Sequence, residues 1–386
     1  MEGDNIKIKI NIESLYKIFL FLLIAMYMLE SSSIPNFSNS FFHDIIQYTA
    51  LLVITAYIFC RRFTNAELIR IFSSILIGVL CYISSGFSGL LMTMLAITLI
   101  PNNSLDNILN MIFKEELFLF FIIISLALLG ILDIGSLKVS KGMYIADGVS
   151  LGFSHPNMLA AQGMSIVFLY LCVNRYKLRL KHYLISIISA IVLFNLSKGR
   201  IAFFLGICAI IGIWISNNNY IKKKILKILP YSYFFVLFIM FIFLGLYSRD
   251  YGMTTLTKFI NDNLFNGRIG LAYTSLMVYP ITLFGKPIDL SIWNQYQYFA
   301  LDNGQVMVLL EFGIIGFIAY FYIIQKTLCE IKKEKEVIFG IILTFFLIWS
   351  MYEGTMYFIG KNFALLFLGT KKIGFIKNIK NRGGKV

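Results

Sequence analysis

Long apolar runs recur down the whole chain, each near the length of helix that crosses a bilayer, and they leave room for little else. A hydrocarbon core about 30 Å thick takes about 20 residues of helix. Only helices and closed barrels satisfy their backbone groups inside it. The runs here are continuous, without the strict apolar–polar alternation of a β-barrel strand. Composition agrees, with 58% hydrophobic residues, 14% charged residues and a mean hydropathy of +0.78; soluble domains are nearer one quarter charged. The pattern predicts an all-α polytopic membrane protein, one integral domain over residues 1–386. Twelve helices are expected near 15–30, 45–60, 68–84, 87–101, 115–134, 158–173, 183–197, 201–216, 230–248, 304–326, 337–352 and 355–370. The first is read as a retained helix, because no small-residue cleavage site accompanies it.

Basic residues set the orientation of such a bundle. With a cytoplasmic N-terminus, 25 of the 34 Lys and Arg fall in inner segments. Lys138, Lys141, Lys198, Arg200, Arg249, Lys258, Arg268, Lys286 and Lys361 fall outside. The bias predicts a multi-pass protein of the cell membrane with both termini cytoplasmic and extracytoplasmic segments at 135–157 and 249–303. It also accounts for the net charge of +14 without nucleic acid. The second segment joins the ninth and tenth helices and is far longer than a usual connection. It carries Trp293, and its stretch from Leu264 to Tyr279 reads as an interfacial helix ended by Pro280. The five cysteines, Cys60, Cys81, Cys172, Cys208 and Cys329, show no C-x-x-C spacing, so neither a disulfide framework nor a zinc site is expected.

Outer basic residues run against the orientation rule and call for another reason, of which an anionic ligand is one. Gly152-Phe153-Ser154-His155-Pro156-Asn157 sits in a polar break between two apolar runs. Its simplest reading is a helix entry with Pro156 in the first turn and Ser154 or Asn157 as cap. Its sharper reading makes His155 a proton-transfer or phosphate-binding group, with Asn157 beside it. Ser197-Lys198-Gly199-Arg200 forms a short outer turn, in which Gly199 would let backbone approach a phosphate. Asn266-Gly267-Arg268 opens the amphipathic stretch. Arg249 and Lys258 are less specific. Asp302-Asn303-Gly304 closes the long loop, either as a helix cap or as a carboxylate base and sugar ligand. Glu353 is a lone acid between the last two helices. Walker-A, dinucleotide and His-Glu-x-x-His motifs are absent, as is an Asp-x-Asp pair. No metal or cofactor is expected.

In these residues, their order and their loop placement, the chain resembles the Wzy-type O-antigen and capsular-polysaccharide polymerases, the O-antigen polymerase and ligase group. The matching pieces are Gly152–Asn157, Ser197–Arg200, Gly267-Arg268, the run from Pro280 to Gly285, and Asp302-Asn303 before the run from Leu309 to Gly316. The resemblance implies a GT-C-like glycosyltransferase that needs no metal. Such an enzyme joins oligosaccharide repeats carried on polyprenyl diphosphate, such as undecaprenyl diphosphate, at the outer face of the cytoplasmic membrane. It builds capsule or another exopolysaccharide, beside chain-length regulator and flippase proteins. In the ligase branch a His commonly precedes Asn where this chain has Asp302, which argues against that branch and leaves the general base open.

Applied to this chain, the resemblance makes the chemistry electrostatic first. Arg200 and Arg268, with Lys198, would stabilise the departing diphosphate. His155 would bind or protonate it, and Asp302 would orient or deprotonate the acceptor hydroxyl. Asn157, Asn303, Arg249 and Glu353 complete the expected substrate contacts. A ligase of the same group and a lipid-linked oligosaccharide flippase are the alternatives. The flippase is disfavoured because buried charge is expected to be nearly limited to Glu311.

Overall fold

A computed structural model describes residues 12–101, 104–140, 145–288 and 301–373. The two chain ends, and with them the expected cytoplasmic termini, lie outside the described residues, as do Lys141 and Trp293. The described chain is helical with one small hairpin. Seven helical stretches are long and apolar enough to cross a membrane. Large apolar side chains face outward on them: Phe59 is 85% exposed, and Phe41, Phe42, Leu52 and Ile69 are also exposed. A soluble monomer rarely shows so continuous an apolar surface. The protein is a helical membrane protein.

The first five helices are α1 (Ile12–Glu30), α2 (Phe41–Cys60), α3 (Asn65–Ser85), α4 (Gly89–Leu99) and α5 (Leu105–Leu128). Local chemistry fixes their ends. Ser40 caps α2. Thr64 and Glu67 form a capping box on α3, and Gly86 closes it with a positive φ. The fifth helix starts at Leu105, ten residues before its expected start, so Glu115 and Glu116 sit mid-helix rather than at an entry.

Strands β1 (Ser136–Ser140) and β2 (Ile145–Val149) then pair antiparallel, a hairpin the apolar pattern does not predict. Gly148 lies so close to the Ser197 carbonyl that a Cβ there would come within 2.5 Å of its oxygen. The hairpin therefore rests on the Ser197–Arg200 turn. Beyond it come α6 (Pro156–Val173), α7 (Leu180–Ser197), α8 (Arg200–Ile215), the Lys-rich α9 (Asn219–Ile228) and α10 (Ser232–Asp250). Helix α6 is buried nearly all round and forms the centre of the bundle, whereas α7 is largely open to its surroundings.

The long segment after α10 holds α11 (Thr255–Lys258), a π-helical turn over Phe259–Leu264, and α12 (Arg268–Val278). The last is a helix within the stretch from Leu264 to Tyr279 where one was expected, and it ends just before Pro280. The predicted helix over 304–326 is broken into α13 (Gly304–Glu311) and α14 (Gly313–Glu334). Gly313 has φ of 68° at the break. The freed N–H groups of Ile314 and Ile315 donate to the carbonyls of Thr282 and Leu283 at 3.0 Å each, so the stretch before Gly285 acts as a cap. After α15 (Val337–Trp349) the expected regular α-helix over 355–370 does not form. Two 3₁₀ segments, Gly354–Tyr357 and Phe363–Ile373, take its place. The segment packs closely on the first helices: a Cβ on Gly360 would collide with the Tyr27 ring, and one on Gly369 with the Ile97 carbonyl.

Candidate functional site

A cavity of about 300 Å³ opens where the N-terminal ends of α6, α8 and α12 meet the C-terminal end of α15. Asn157, Arg200, Arg268 and Glu353 line it. Four residues from four separate segments, each singled out by the sequence, thus share one space. The geometry follows from helix starts. Arg200 is the first residue of α8 and Arg268 the first of α12. The positive ends of those two helix dipoles lie at the cavity with the two arginines.

Arg268 is held firmly. Gly267 and Asn266 before it both take positive φ, which turns the chain into α12. Its Nε donates to the Tyr352 carbonyl at 2.8 Å, and its Nη2 lies 3.1 Å from Oδ2 of Asp302. Tyr352 in turn stacks on Phe265, 4.9 Å between centroids. Arg200 is half-buried and makes no ion pair among the described residues. A cation placed at a cavity wall without a protein carboxylate is answered there by water or by a ligand.

His155 is itself the cap of α6. Its Nδ1 accepts the Asn157 N–H at 3.0 Å, where Ser154 or Asn157 was the expected cap. Pro156 occupies the first turn, as the sequence indicates. With Nδ1 accepting, the neutral ring carries its proton on Nε2. Burial holds the Asp302 carboxyl above the ordinary aspartate value, while Arg268 and His155 pull it down. His155, Asp302 and Arg268 therefore form one electrostatic group beside the cavity.

Three expected contacts are placed differently. Asn303 is only 1% exposed and caps α13, accepting from the Val306 N–H at 3.1 Å and donating to the Met351 carbonyl at 3.1 Å. Its amide is consumed by the fold and is closed to a sugar. Lys198 caps α7 in the left-handed region next to Arg200 but does not line the cavity. Arg249 is an exposed residue in the last turn of α10 and does not line it either. Gly199 is small for a different reason from the one expected: a Cβ there would lie 2.9 Å from that of Ala160, so it lets α8 start against α6.

Sequence reasoning missed the charges behind the cavity. Lys361, counted among outer loop residues, is 2% exposed, with Nζ 3.3 Å from Sδ of Met158. The carboxylates of Glu353, Glu30 and Glu116 all act on its ammonium. Glu116 is 1% exposed, and Glu115 and Glu311 are also buried. Ser165 links this cluster to α6 by donating to the Lys361 carbonyl at 3.2 Å. Buried charge is therefore not limited to Glu311, and that argument against a flippase falls. The five cysteines are free. No protein-family model matches this chain, and no curated protein or solved structure matches it.

Proposed function

We propose that this chain is a metal-independent glycosyltransferase that polymerises oligosaccharide repeats carried on polyprenyl diphosphate. The observation that carries the reading is the cavity, where Arg200 and Arg268 start two helices and face one space with Asn157 and Glu353. Guanidinium groups at helix N-termini are suited to a diphosphate. An acceptor hydroxyl attacks the anomeric carbon, and the bond from that carbon to the diphosphate oxygen breaks. The diphosphate leaves with the electron pair, and the two arginines stabilise it. The hydroxyl proton passes to a carboxylate, either Glu353 on the cavity wall or Asp302 behind Arg268. His155 donates to the diphosphate through Nε2.

In this reading the GT-C-like bundle crosses the membrane twelve times, counting the segment that ends in 3₁₀ turns, with both termini cytoplasmic. The starts of α6 and α8 and the end of α15 then all reach the outer face, in keeping with their meeting at one cavity. A single cysteine at Asn263 should react with an impermeant thiol reagent in intact cells, and one at Lys223 should not.

The decisive assay supplies purified protein with lipid-linked repeat unit in the presence of a chelator. The wild type should yield a ladder of polymer, and Arg200→Ala should leave single repeats. A flippase is the second reading, favoured by the buried Glu116 and Lys361. Transfer of the repeat across a vesicle without any polymer would establish that reading and sink the first.

A further inference from the structure

We infer that the groove between α3, α4 and α14 is a binding site for one anionic phospholipid, separate from the cavity above. The groove encloses about 500 Å³ and is walled mainly by Ile77, Met94, Ile97, Ile315 and Ile318. Arg70 and Lys326 lie on its wall too. Their position within it follows from the helix directions. Cys81 on α3 donates through Sγ to the Phe312 carbonyl, 3.4 Å away, just before α14. Arg70 lies eleven residues before Cys81, and Lys326 fourteen after Phe312. At 1.5 Å per residue both cations stand roughly 17–21 Å from that contact, toward the same end. The groove wall from Ile315 to Lys326 is about 16 Å long by the same rise, close to one leaflet's hydrocarbon depth of about 15 Å.

Charge and shape then agree on the occupant. The side chains along the groove suit an acyl chain. Three of its hydroxyls are already bonded within the protein: Ser74 and Thr98 to each other at 3.1 Å, Thr98 also to the Met94 carbonyl at 2.6 Å, and Ser73 to the Ile69 carbonyl at 2.9 Å. Arg70 is exposed, and its Nε makes one bond, to the Ala66 carbonyl at 3.3 Å, leaving the guanidinium nitrogens for another acceptor. Lys326 is exposed, and its ammonium is 3.7 Å from the half-buried Glu330 one turn on, a contact long enough to leave its other protons for a second acceptor. A phosphate between the two cations, with one acyl chain along the groove, satisfies every part of this surface. Basic pockets between membrane helices hold anionic head groups by the same electrostatics.

Native mass spectrometry on protein released from membranes of equal phosphatidylglycerol and phosphatidylcholine tests this directly. The wild type should retain one phosphatidylglycerol in roughly 30-fold preference, given about 1 kcal/mol for each of the two basic residues near an anionic head group. Arg70→Gln with Lys326→Gln should bring the preference near unity. Arg70→Lys with Lys326→Arg, which keeps both charges, should preserve it, as should Arg62→Gln outside the groove. Ser73→Trp, at an exposed position on the groove wall, should lose retained lipid of both kinds. Equal retention of the two lipids by the wild type, or an undiminished preference in the Gln double variant, would overturn the assignment.

Discussion

Two polar regions face each other across Glu353, and they handle charge in opposite ways. On one side the cavity holds Arg200 half-buried with no ion pair among the described residues, and Arg268 tied to Asp302 and to the Tyr352 carbonyl. On the other, Lys361 is sealed from solvent, and Glu353, Glu30 and Glu116 act on its ammonium through space. A charge in a low-dielectric interior needs partners supplied by the fold. A charge at a cavity wall can wait for its partner to arrive. The comparison separates groups that hold the bundle together from groups available to a substrate, and Glu353 belongs to both.

Removing the ammonium should give the largest effect. Lys361→Met removes a buried cation on which three carboxylates act through space, and the loss should be about 3 kcal/mol, the upper end of the cost of leaving a buried polar group unanswered. Adding Glu116→Gln should recover part of it, as coupled neighbours do. Thermal unfolding in detergent reads both, and additive losses would show that the cluster is not coupled.

The next effect sharpens the cavity side. His155→Ala should lower polymerisation about 100-fold, as loss of a general acid or base does. Its cost in stability should be near 1 kcal/mol, for the lost helix cap. If His155→Gln is fully active while the alanine variant is not, the ring positions α6 and transfers no proton.

The smallest effect concerns Asp302. Burial raises its folded value, so the folded protein binds this proton more tightly than the unfolded chain does. The resulting stability is fully present below about pH 3.9 and is lost as pH rises through the raised value. Asp302→Asn cannot titrate and should flatten that slope in melting temperatures measured across the window. An unchanged slope would mean that another group carries it.

Much of this contrast was legible in the sequence on the cavity side and almost none of it on the sealed side. Arg200 and Arg268 stand out because outer basic residues contradict the orientation rule, and short turns before helices fix where they point. Asn303 reads equally as a cap or a ligand, and only its burial decides for the cap. Lys361 carries no local signal of burial. Flanked by Gly360 and Asn362, it reads as a loop cation, and only the wrapping of the 3₁₀ segments encloses it. Glu116 was masked by the register of α5, since a helix begun at residue 115 puts it at the interface and one begun at Leu105 puts it at mid-span. The hairpin of β1 and β2 was missed because its two five-residue strands lie in a segment read only as a loop.

Affinity for a polyprenyl diphosphate, compared with the matching monophosphate in chelator, decides whether the two arginines form a diphosphate clamp. The wild type should prefer the diphosphate. Arg200→Ala and Arg268→Ala should each lose most of that preference, with Arg249→Ala unchanged. Alanine variants at both cavity arginines that bind the diphosphate as tightly as the wild type would contradict the clamp.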